Sequence, residues 1–307
     1  MPPSLDSSES PAGRPSEREA WWLALRPKTL TVSLAPVLVG TVVAYAESGS
    51  ILIWPALLAL LAAMLIQIGT NLHNDVSDFE RGADTPQRLG PPRATAMGWL
   101  SPGAVRRAAW LAFSMAFLLG IGLVARGGWP IVIIGLCSLL AGWAYTGGPR
   151  PIAYTPLGEI SVIIFFGLAA VGGSYYLQTF SLSWAALAAA LMLGVLGAAV
   201  ISVNNTRDVE TDARVGKRTL AVVLGRQRMS RLYACELLLP FLLLPMLAGM
   251  LGRGWWMMLP CLAAGSAFSL YRRFCAAADG PAFNLLLADT ARLQVVFAAL
   301  LVAALAV

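Results

Sequence analysis

The chain has 307 residues, of which 22 are Lys or Arg and 16 are Asp or Glu, so only 12% are charged, about half of the usual share in soluble domains. Hydrophobic residues make up 58%, and the mean hydropathy is +0.70. This composition excludes a disordered chain, a soluble nucleic-acid binder and an ordinary cytosolic enzyme, because so few charges cannot coat a polyanion or a solvated surface. The formal net charge of +6 therefore needs an explanation other than a nucleic-acid partner.

Residues 1–20 and 21–307 have different characters. The first segment is rich in Pro, Ser and charge and lacks an apolar stretch, which predicts a disordered cytoplasmic tail rather than a secretory signal. In the second, apolar stretches long enough to cross a bilayer, about 20 residues each, recur. We expect an all-α membrane protein with a single polytopic domain and nine spans, near 30–47, 52–74, 108–125, 129–146, 158–178, 184–205, 230–251, 254–271 and 285–306.

The distribution of cations predicts the orientation of these spans. Nineteen of the 22 Lys and Arg residues fall on one side, only Arg126 and Arg253 fall on the other, and Arg292 lies within the last span. Because cations are retained on the cytoplasmic side, the N-terminus is predicted to be cytoplasmic and the C-terminus outside. Tryptophan favours the membrane interface, and five Trp residues begin spans on the predicted outer side: Trp54, Trp129, Trp184, Trp255 and Trp256.

Seven of the 16 acidic residues fall in two short segments at the predicted cytoplasmic ends of the second and sixth spans. We call residues 71–84 the first acidic motif and residues 204–212 the second acidic motif. Residues three or four apart share one face of a helix, and this spacing relates Asn71, Asp75 and Asp78 in the first motif and Asn204, Asp208 and Asp212 in the second. Because the motifs are four helices apart, we expect two similar four-helix halves facing each other, plus a ninth helix.

Clustered carboxylates repel one another unless a cation binds them, and Mg²⁺ prefers hard oxygen ligands that it shares with phosphate oxygens. The candidate ligands are Asp75, Asp78, Asp84, Asp208 and Asp212. Cations that suit phosphate follow each motif, namely Arg88, Arg93, Lys217 and Arg218. A single Asp would be better explained as a solvated loop charge. Two matched motifs instead predict a diphosphate held at the membrane surface, with an attached lipid tail in a cavity among the helices.

Several long segments resemble the UbiA superfamily of membrane prenyltransferases. The first motif reads NDVSDFERGADTPQRLGPPR and the second NNTRDVETDARVGKRTLAVVLGR. Three further segments match, RPKTLTVSLAPVLVG at 26–40, YTGGPRPIAYTPLGEISVIIFFG at 145–167 and NLLLADTARLQVVFAALL at 284–301. The resemblance covers about residues 26–306, and within the superfamily it is greatest to the branch that acts on 1,4-dihydroxy-2-naphthoate.

The resemblance implies nine transmembrane helices around a central cavity and Mg²⁺-dependent transfer of a polyprenyl group from its diphosphate to an aromatic acceptor. In the naphthoate branch the prenyl group replaces the acceptor's carboxylate, which leaves as CO₂, and the product is demethylmenaquinone, an intermediate of menaquinone biosynthesis. We therefore expect an enzyme of the bacterial cytoplasmic membrane, with polyprenyl diphosphate, an aromatic acceptor and the lipid bilayer as its partners. The sequence carries no signal of an oligomeric state.

Each candidate residue receives a predicted role. The five aspartates hold Mg²⁺ on the diphosphate, and we count Asp75, Asp78, Asp208, Asp212 and Lys217 as catalytic. Amides and cations bind or neutralise the substrate, namely Asn71, Asn74, Asn204, Arg88, Arg93 and Arg218. Four residues near the cytoplasmic face are candidates for binding the acceptor or the diphosphate, namely Arg26, Tyr145, Tyr154 and Glu159.

Two alternatives remain at this point. Another acceptor, such as 4-hydroxybenzoate or homogentisate, would fit the same motifs. A secondary transporter is a different class, because acidic residues within a membrane also mark ion paths. Transporter sites lie near the bilayer midplane at broken helices, whereas these acidic residues lie at one surface among arginines, which disfavours transport.

Overall fold

The computed structural model describes residues 14–84, 89–278 and 280–306. This part of the chain is helical and contains no strand, which confirms the all-α prediction. The α-helices are α1 (Glu17–Leu25), α2 (Pro27–Ser48), α3 (Ile53–Glu80), α4 (Pro102–Gly127), α5 (Trp129–Ala144), α6 (Gly158–Val162), α7 (Gly173–Thr179), α8 (Trp184–Arg207), α9 (Val209–Arg214), α10 (Leu220–Leu224), α11 (Arg226–Met250), α12 (Ala264–Ala276) and α13 (Gly280–Ala306). A π-helix, Ile163–Gly172, joins α6 to α7, and 3₁₀ helices occupy Ile152–Tyr154 and Trp255–Ala263.

Seven helical stretches within the described residues are long and apolar enough to cross a membrane, which identifies a multi-pass membrane protein. They are α2, α3, α4, the continuous α6–π–α7 stretch, α8, α11 and α13. Two of the nine predicted spans differ from these seven. Helix α5 has only 16 residues, and the predicted eighth span consists of the 3₁₀ helix Trp255–Ala263 followed by the 13-residue α12.

Helical structure begins closer to the N-terminus than the composition of this segment predicts. Residues 1–13 lie outside the described part, but α1 begins at Glu17, inside the segment predicted to be disordered through residue 20. A capping box explains this start, because the Ser16 hydroxyl accepts from the Glu19 backbone N–H while the Glu19 carboxylate accepts from that of Ser16. Ala20 and Ala24 then pack in a cluster with residues of α3, so tertiary packing holds the helix in place.

Helix α8 lies at the centre of the fold. It is apolar along its length and buried on nearly every face, as expected of a helix surrounded by other helices. The π-helix, α11, α13 and α2 pack around it. Peripheral helices instead expose large apolar side chains such as Leu111 and Leu118 of α4 and Ile133 and Leu140 of α5, which suits contact with lipid.

Two glycines allow the π-helix to approach α8 closely. A Cβ placed on Gly167 would lie 2.5 Å from the carbonyl oxygen of Ala190 and 3.0 Å from the Cα of Gly194. Only glycine permits backbones to come so near, as in other packed membrane helices. The close approach fixes the π-helix, and through it Phe165 and Phe166, which line the cavity described below.

The two arginines predicted to lie on the outer side both bind backbone at one end of the bundle. Arg126 donates to the carbonyl of Leu177 and stacks over the Phe180 ring, and Arg253 donates to the carbonyl of Ala46. The acidic motifs lie at the ends of α3 and α8.

Candidate active site

A large cavity, about 990 Å³ in volume, opens at the end of the bundle that carries both acidic motifs. Its interior is walled by apolar residues of α2, α3, α4, α5 and the π-helix, including Val37, Ala62, Leu123, Ile134 and Ala170. Polar side chains of both motifs line its mouth. A cavity with one polar end and an apolar interior fits an amphiphile whose charged group stays at the mouth.

Helix α3 continues through the first acidic motif to Glu80, so its last turns present side chains at helical spacing. Asn74 and Asp78, four residues apart, both line the cavity, and both are buried. The Thr146 hydroxyl donates to the Asn74 Oδ1 at 2.5 Å, and the Tyr154 hydroxyl donates to the Asp78 Oδ1 at 3.2 Å. The segment after α5 therefore fixes both side chains at the mouth.

Asp75 does not line the cavity, and its predicted role as a metal ligand and catalytic residue stays a prediction. Its carboxylate instead accepts from the backbone N–H groups of Ala94 and Thr95, at 3.1 and 3.0 Å, and from the Thr95 hydroxyl. Helical phase is not the reason, because Asn71 and Asp78 lie within about 60° of Asp75 around α3 and both line the cavity. The hydrogen bonds from the turn at residues 94–97 hold the Asp75 carboxylate away from the cavity. Asp75 holds the turn that carries Arg93.

Arg93 is the buried partner of the first motif. Its Nη2 donates to the Asp78 Oδ2 at 2.7 Å, and its Nε lies 3.2 Å from the Asp84 Oδ1. Arg93 itself lines the cavity, whereas Asp84 does not and is nearly inaccessible. Asp84 thus contacts the mouth through Arg93, and its predicted direct role as a metal ligand stays a prediction.

The second acidic motif spans the end of α8 and all of α9. Asn204, Asp208 and Asp212 line the cavity, as their four-residue spacing predicts. Asp208 caps α8 and Asp212 lies one turn further on, in α9. The Lys217 Nζ is 3.6 Å from the Asp212 Oδ1, and Lys217 also lines the cavity.

The loop after α5 joins the two motifs. Besides binding Asp78, Tyr154 accepts at its backbone oxygen a 3.0 Å hydrogen bond from the Arg218 backbone N–H. The Lys217 ammonium lies over the Tyr154 ring, 4.8 Å from its centre. Arg218 itself exposes its side chain and does not line the cavity, so this structure does not support its predicted contact with the diphosphate.

The carboxylates at the mouth influence one another. The pKa of Asp212 is raised to about 6, chiefly by burial and also by the charges of Asp208 and Asp78, while Lys217 opposes the shift. Burial and the nearby Asp78 likewise raise the pKa of Tyr154 above its ordinary value. The mouth thus brings together three carboxylates, those of Asp78, Asp208 and Asp212, and a cation bound between them would relieve their mutual repulsion.

The donor set suits Mg²⁺, since it consists of carboxylate and amide oxygens. Among the described residues, no three Asp, Glu, His or Cys side chains stand close enough together to hold one ion. The arrangement therefore fits a cation that takes part of its coordination from a phosphate group between the motifs, in the manner usual for Mg²⁺. Asn74, Asp78, Asn204, Asp208 and Asp212 are the residues placed to hold it.

Arg26 and Asn71 form the third side of the mouth. Arg26 lies between α1 and α2 in the left-handed conformation, at φ 53°, which a non-glycine residue adopts at an energetic cost and often at a functional site. The Asn71 Nδ2 donates to the Leu25 carbonyl at 3.0 Å and to the Thr29 hydroxyl at 2.9 Å, which holds this junction. Both Arg26 and Asn71 line the cavity, as predicted for substrate-binding residues.

Glu159 lies behind the cavity wall and does not line it. Its Oε1 accepts a 2.9 Å hydrogen bond from the Nδ2 of Asn205, and Asn205 does line the cavity, as does Tyr145. Because its amide nitrogen is bound to Glu159, Asn205 has its Oδ1 available for a hydroxyl donor. Glu159 thus reaches the cavity through Asn205, a residue that the sequence analysis did not select.

The structure places ten of the predicted site residues on the cavity wall. They are Arg26, Asn71, Asn74, Asp78, Arg93, Tyr145, Asn204, Asp208, Asp212 and Lys217. Asp75, Asp84, Tyr154, Glu159 and Arg218 lie behind it, and Arg88 falls outside the described residues. Arg207, which also lines the wall, was counted only as a topology signal. Its position beside Asp208, one residue before a candidate ligand, was the available clue.

The model of the UbiA prenyltransferase family matches residues 33–288. A 1,4-dihydroxy-2-naphthoate octaprenyltransferase of Escherichia coli (strain K12) is 40% identical over 229 residues, covering 73% of this chain and 74% of that protein. A protein of the same name from Mycobacterium tuberculosis is 39% identical over 213 residues, covering 69% of this chain and 72% of that protein.

Solved structures share the fold. A UbiA homolog from Archaeoglobus fulgidus, whose structure contains GPP and Mg²⁺, superposes with a TM-score of 0.66 at 19% sequence identity. The match covers 94% of this chain and all of that one. At this identity the likeness establishes the fold alone.

Proposed function

Because the chain belongs to the UbiA prenyltransferase family, we propose that it transfers a polyprenyl group from polyprenyl diphosphate to 1,4-dihydroxy-2-naphthoate, a step of menaquinone biosynthesis. Relatives at 36–40% identity carry the name of this activity. The structural observation that carries the proposal is the meeting of both acidic motifs at the polar mouth of one cavity whose interior is apolar. The diphosphate fits the mouth, and the prenyl tail fits the interior.

The site is built to bind a leaving diphosphate. Asn74, Asp78, Asn204, Asp208 and Asp212 would hold Mg²⁺, which when bound supplies positive charge to the diphosphate oxygens as the C–O bond breaks. Lys217 and Arg93 add fixed positive charge on the two sides of the mouth. Preorganised charge of this kind stabilises the developing negative charge of a leaving group.

The apolar interior protects the reacting carbon. Cleavage of the C–O bond leaves an allylic cation on the prenyl group, which water would quench. Phe165, Phe166 and Ala169 of the π-helix line the cavity and exclude water from it. The cation instead bonds to the electron-rich ring carbon that bears the carboxylate, and loss of this carboxylate as CO₂ restores the aromatic ring.

The acceptor is proposed to bind beside the diphosphate, between α5, α6 and α8. Tyr145 and Asn205 line this part of the cavity. The Asn205 Oδ1, oriented by Glu159, accepts a hydrogen bond from one ring hydroxyl of the acceptor. Arg26 lies at the mouth, where its guanidinium suits the acceptor carboxylate or the diphosphate.

The topology belongs to the same proposal. We propose a single polytopic domain over residues 21–307, with nine spans, in which α5 and the stretch from Trp255 to Ala276 also cross the bilayer. The acidic motifs face the cytoplasm of a bacterial cell, because the Lys and Arg residues flank them on that side. A water-soluble acceptor and the diphosphate product then exchange on the cytoplasmic side, while the prenylated product remains in the membrane.

Membranes that contain the chain should convert labelled polyprenyl diphosphate to a prenylated naphthoquinol when Mg²⁺ and 1,4-dihydroxy-2-naphthoate are supplied. The comparison uses 4-hydroxybenzoate and homogentisate at equal concentration. Preferred transfer to either of these would replace the proposed acceptor while leaving prenyl transfer intact. Chain-dependent ion flux without any prenylated product would instead support a transporter.

A further inference from the structure

Arg207 is a buried cation at the last position of α8, between Asn204 and Asp208, two of the three proposed ligands of the second motif. Its Nε donates to the Asp208 Oδ1 at 2.8 Å and its Nη2 to the Asp208 Oδ2 at 2.6 Å, a bidentate pair. The Nη2 also donates to the Asn204 Oδ1 at 2.9 Å. The side chain is only 2% exposed, so these contacts are shielded from water.

A third helix completes the contacts of Arg207. Its Nη1 donates to the Asn284 Oδ1 at 2.8 Å, and Asn284 lies in the first turns of α13. The Nδ2 of Asn284 in turn donates to the Leu89 carbonyl at 2.9 Å, in the loop that follows the first acidic motif. Arg207 is thereby fixed to three parts of the fold, and the amide of Asn284 links the second motif to the segment behind the first.

The count of hydrogen-bond donors separates two possible roles for Arg207. A guanidinium has five N–H donors, and the contacts to Asp208, Asn204 and Asn284 engage four of them. Little donor capacity is left for a phosphate. Arg207 therefore acts mainly through the residues that it holds.

The oxygen atoms to which Arg207 donates have further lone pairs that can accept or coordinate. An ionised carboxylate offers about four lone-pair positions and an amide oxygen two. Arg207 takes one position on each oxygen of Asp208 and one on the Asn204 Oδ1. The remaining positions of both side chains stay available to a cation in the cavity, in a fixed orientation.

The first motif also contains an aspartate paired with a buried arginine, but the two residues come from different parts of the chain. Arg93 comes from a loop rather than from the helix of the motif, yet it is also buried and binds Asp78 at 2.7 Å. Each half of the mouth thus pairs a cavity-lining aspartate with a buried arginine. Metal-ligating carboxylates are commonly oriented by such hydrogen bonds, which tune affinity and activity.

We propose that Arg207 is a positioning residue that holds Asn204 and Asp208 in the orientation in which they share a divalent cation with the diphosphate of the substrate. The inference rests on the proposed function, because it takes the second motif as part of the diphosphate site. Asn284 acts with Arg207 as its anchor on α13. The planar fork is essential to this role, since a lysine would keep the charge but lose the bidentate contact.

The test measures binding without turnover. Purified full-length Arg207→Lys in detergent is titrated with inorganic diphosphate at fixed Mg²⁺, and the thermal unfolding midpoint is followed. We expect half-maximal stabilisation at a diphosphate concentration about 10–100-fold higher than for the wild type, the usual effect of losing a residue that orients a metal ligand. Arg214→Lys is the matched control, since Arg214 is an exposed residue of α9 and does not line the cavity.

Asn284→Leu keeps Arg207 but removes its anchor, together with the hydrogen bond from Asn284 to the Leu89 carbonyl. It tests the positioning role if Arg207→Lys does not fold. We expect a shift in the same direction, with a fall in kcat for prenyl transfer. Titration curves of the folded variants that coincide with that of Arg214→Lys would overturn the positioning role while leaving the proposed function standing. A wild-type chain that Mg²⁺ and diphosphate together do not stabilise would overturn the proposed function, and this inference with it.

Discussion

Asp212→Asn should lower kcat for prenyl transfer by about 100–1,000-fold, the scale seen when one preorganised group that stabilises developing charge is removed. Asp212 lines the cavity mouth, and its carboxylate forms a long ion pair with Lys217, at 3.6 Å, so the substitution disturbs few structural contacts. The amide keeps the shape of the side chain and removes the negative charge that a cation would bind. The measurement is single-turnover transfer from labelled polyprenyl diphosphate by the purified variant.

Glu210→Gln is the matched control for this substitution. Glu210 belongs to the same short helix, α9, but its side chain is exposed and does not line the cavity. It should keep wild-type kcat and the wild-type unfolding midpoint. An Asp212→Asn protein that is as active as Glu210→Gln would remove Asp212 from the catalytic site.

Asp75→Asn should act on stability rather than on chemistry. The carboxylate accepts from two backbone N–H groups and from the Thr95 hydroxyl, and Asp75 is 1% exposed. An amide presents an N–H₂ group to at least one of these donors, and a buried group left unsatisfied costs about 1–3 kcal/mol. The unfolding midpoint should therefore fall clearly, while kcat per folded molecule falls far less than in Asp212→Asn.

Thr95→Val provides the second arm of this experiment. It removes the hydroxyl that binds Asp75 and should reproduce part of the loss of stability without adding a donor next to the carboxylate. If Asp75→Asn unfolds at the wild-type midpoint but transfers no prenyl group, Asp75 contacts the reacting groups and the structural role assigned to it is incorrect.

The spacing of the second acidic motif was sufficient to predict its geometry, because one continuous α8 carries Asn204 to the mouth and α9 follows directly with Asp212. The spacing of the first motif does not predict its geometry in the same way. The sequence offers both Asn71 with Asp75 and Asn74 with Asp78 at a separation of four, and periodicity alone does not select between them. Which pair lines the cavity depends on the turn at residues 94–97, a segment distant in sequence whose backbone N–H groups bind the Asp75 carboxylate.

The prediction of nine spans rests on hydropathy, and at two of them the structure has features that hydropathy does not contain. The apolar run at 254–271 begins as a 3₁₀ helix, and α5 ends after 16 residues where Tyr145 starts the loop to Tyr154. The π-helix also has no signal in the sequence beyond Gly167, since its geometry reflects packing against α8. Sequence analysis did not select Arg207, because the predicted topology already accounted for its positive charge.

The most direct test of the central claim is the product balance of the purified wild-type chain given polyprenyl diphosphate and 1,4-dihydroxy-2-naphthoate labelled in its carboxyl carbon. We expect diphosphate, labelled CO₂ and prenylated product to appear in equal amounts, only with a divalent cation, and all three to fall together in Asp212→Asn. Prenylated product that retains the labelled carboxyl carbon, or turnover that persists in Asp212→Asn, would contradict it.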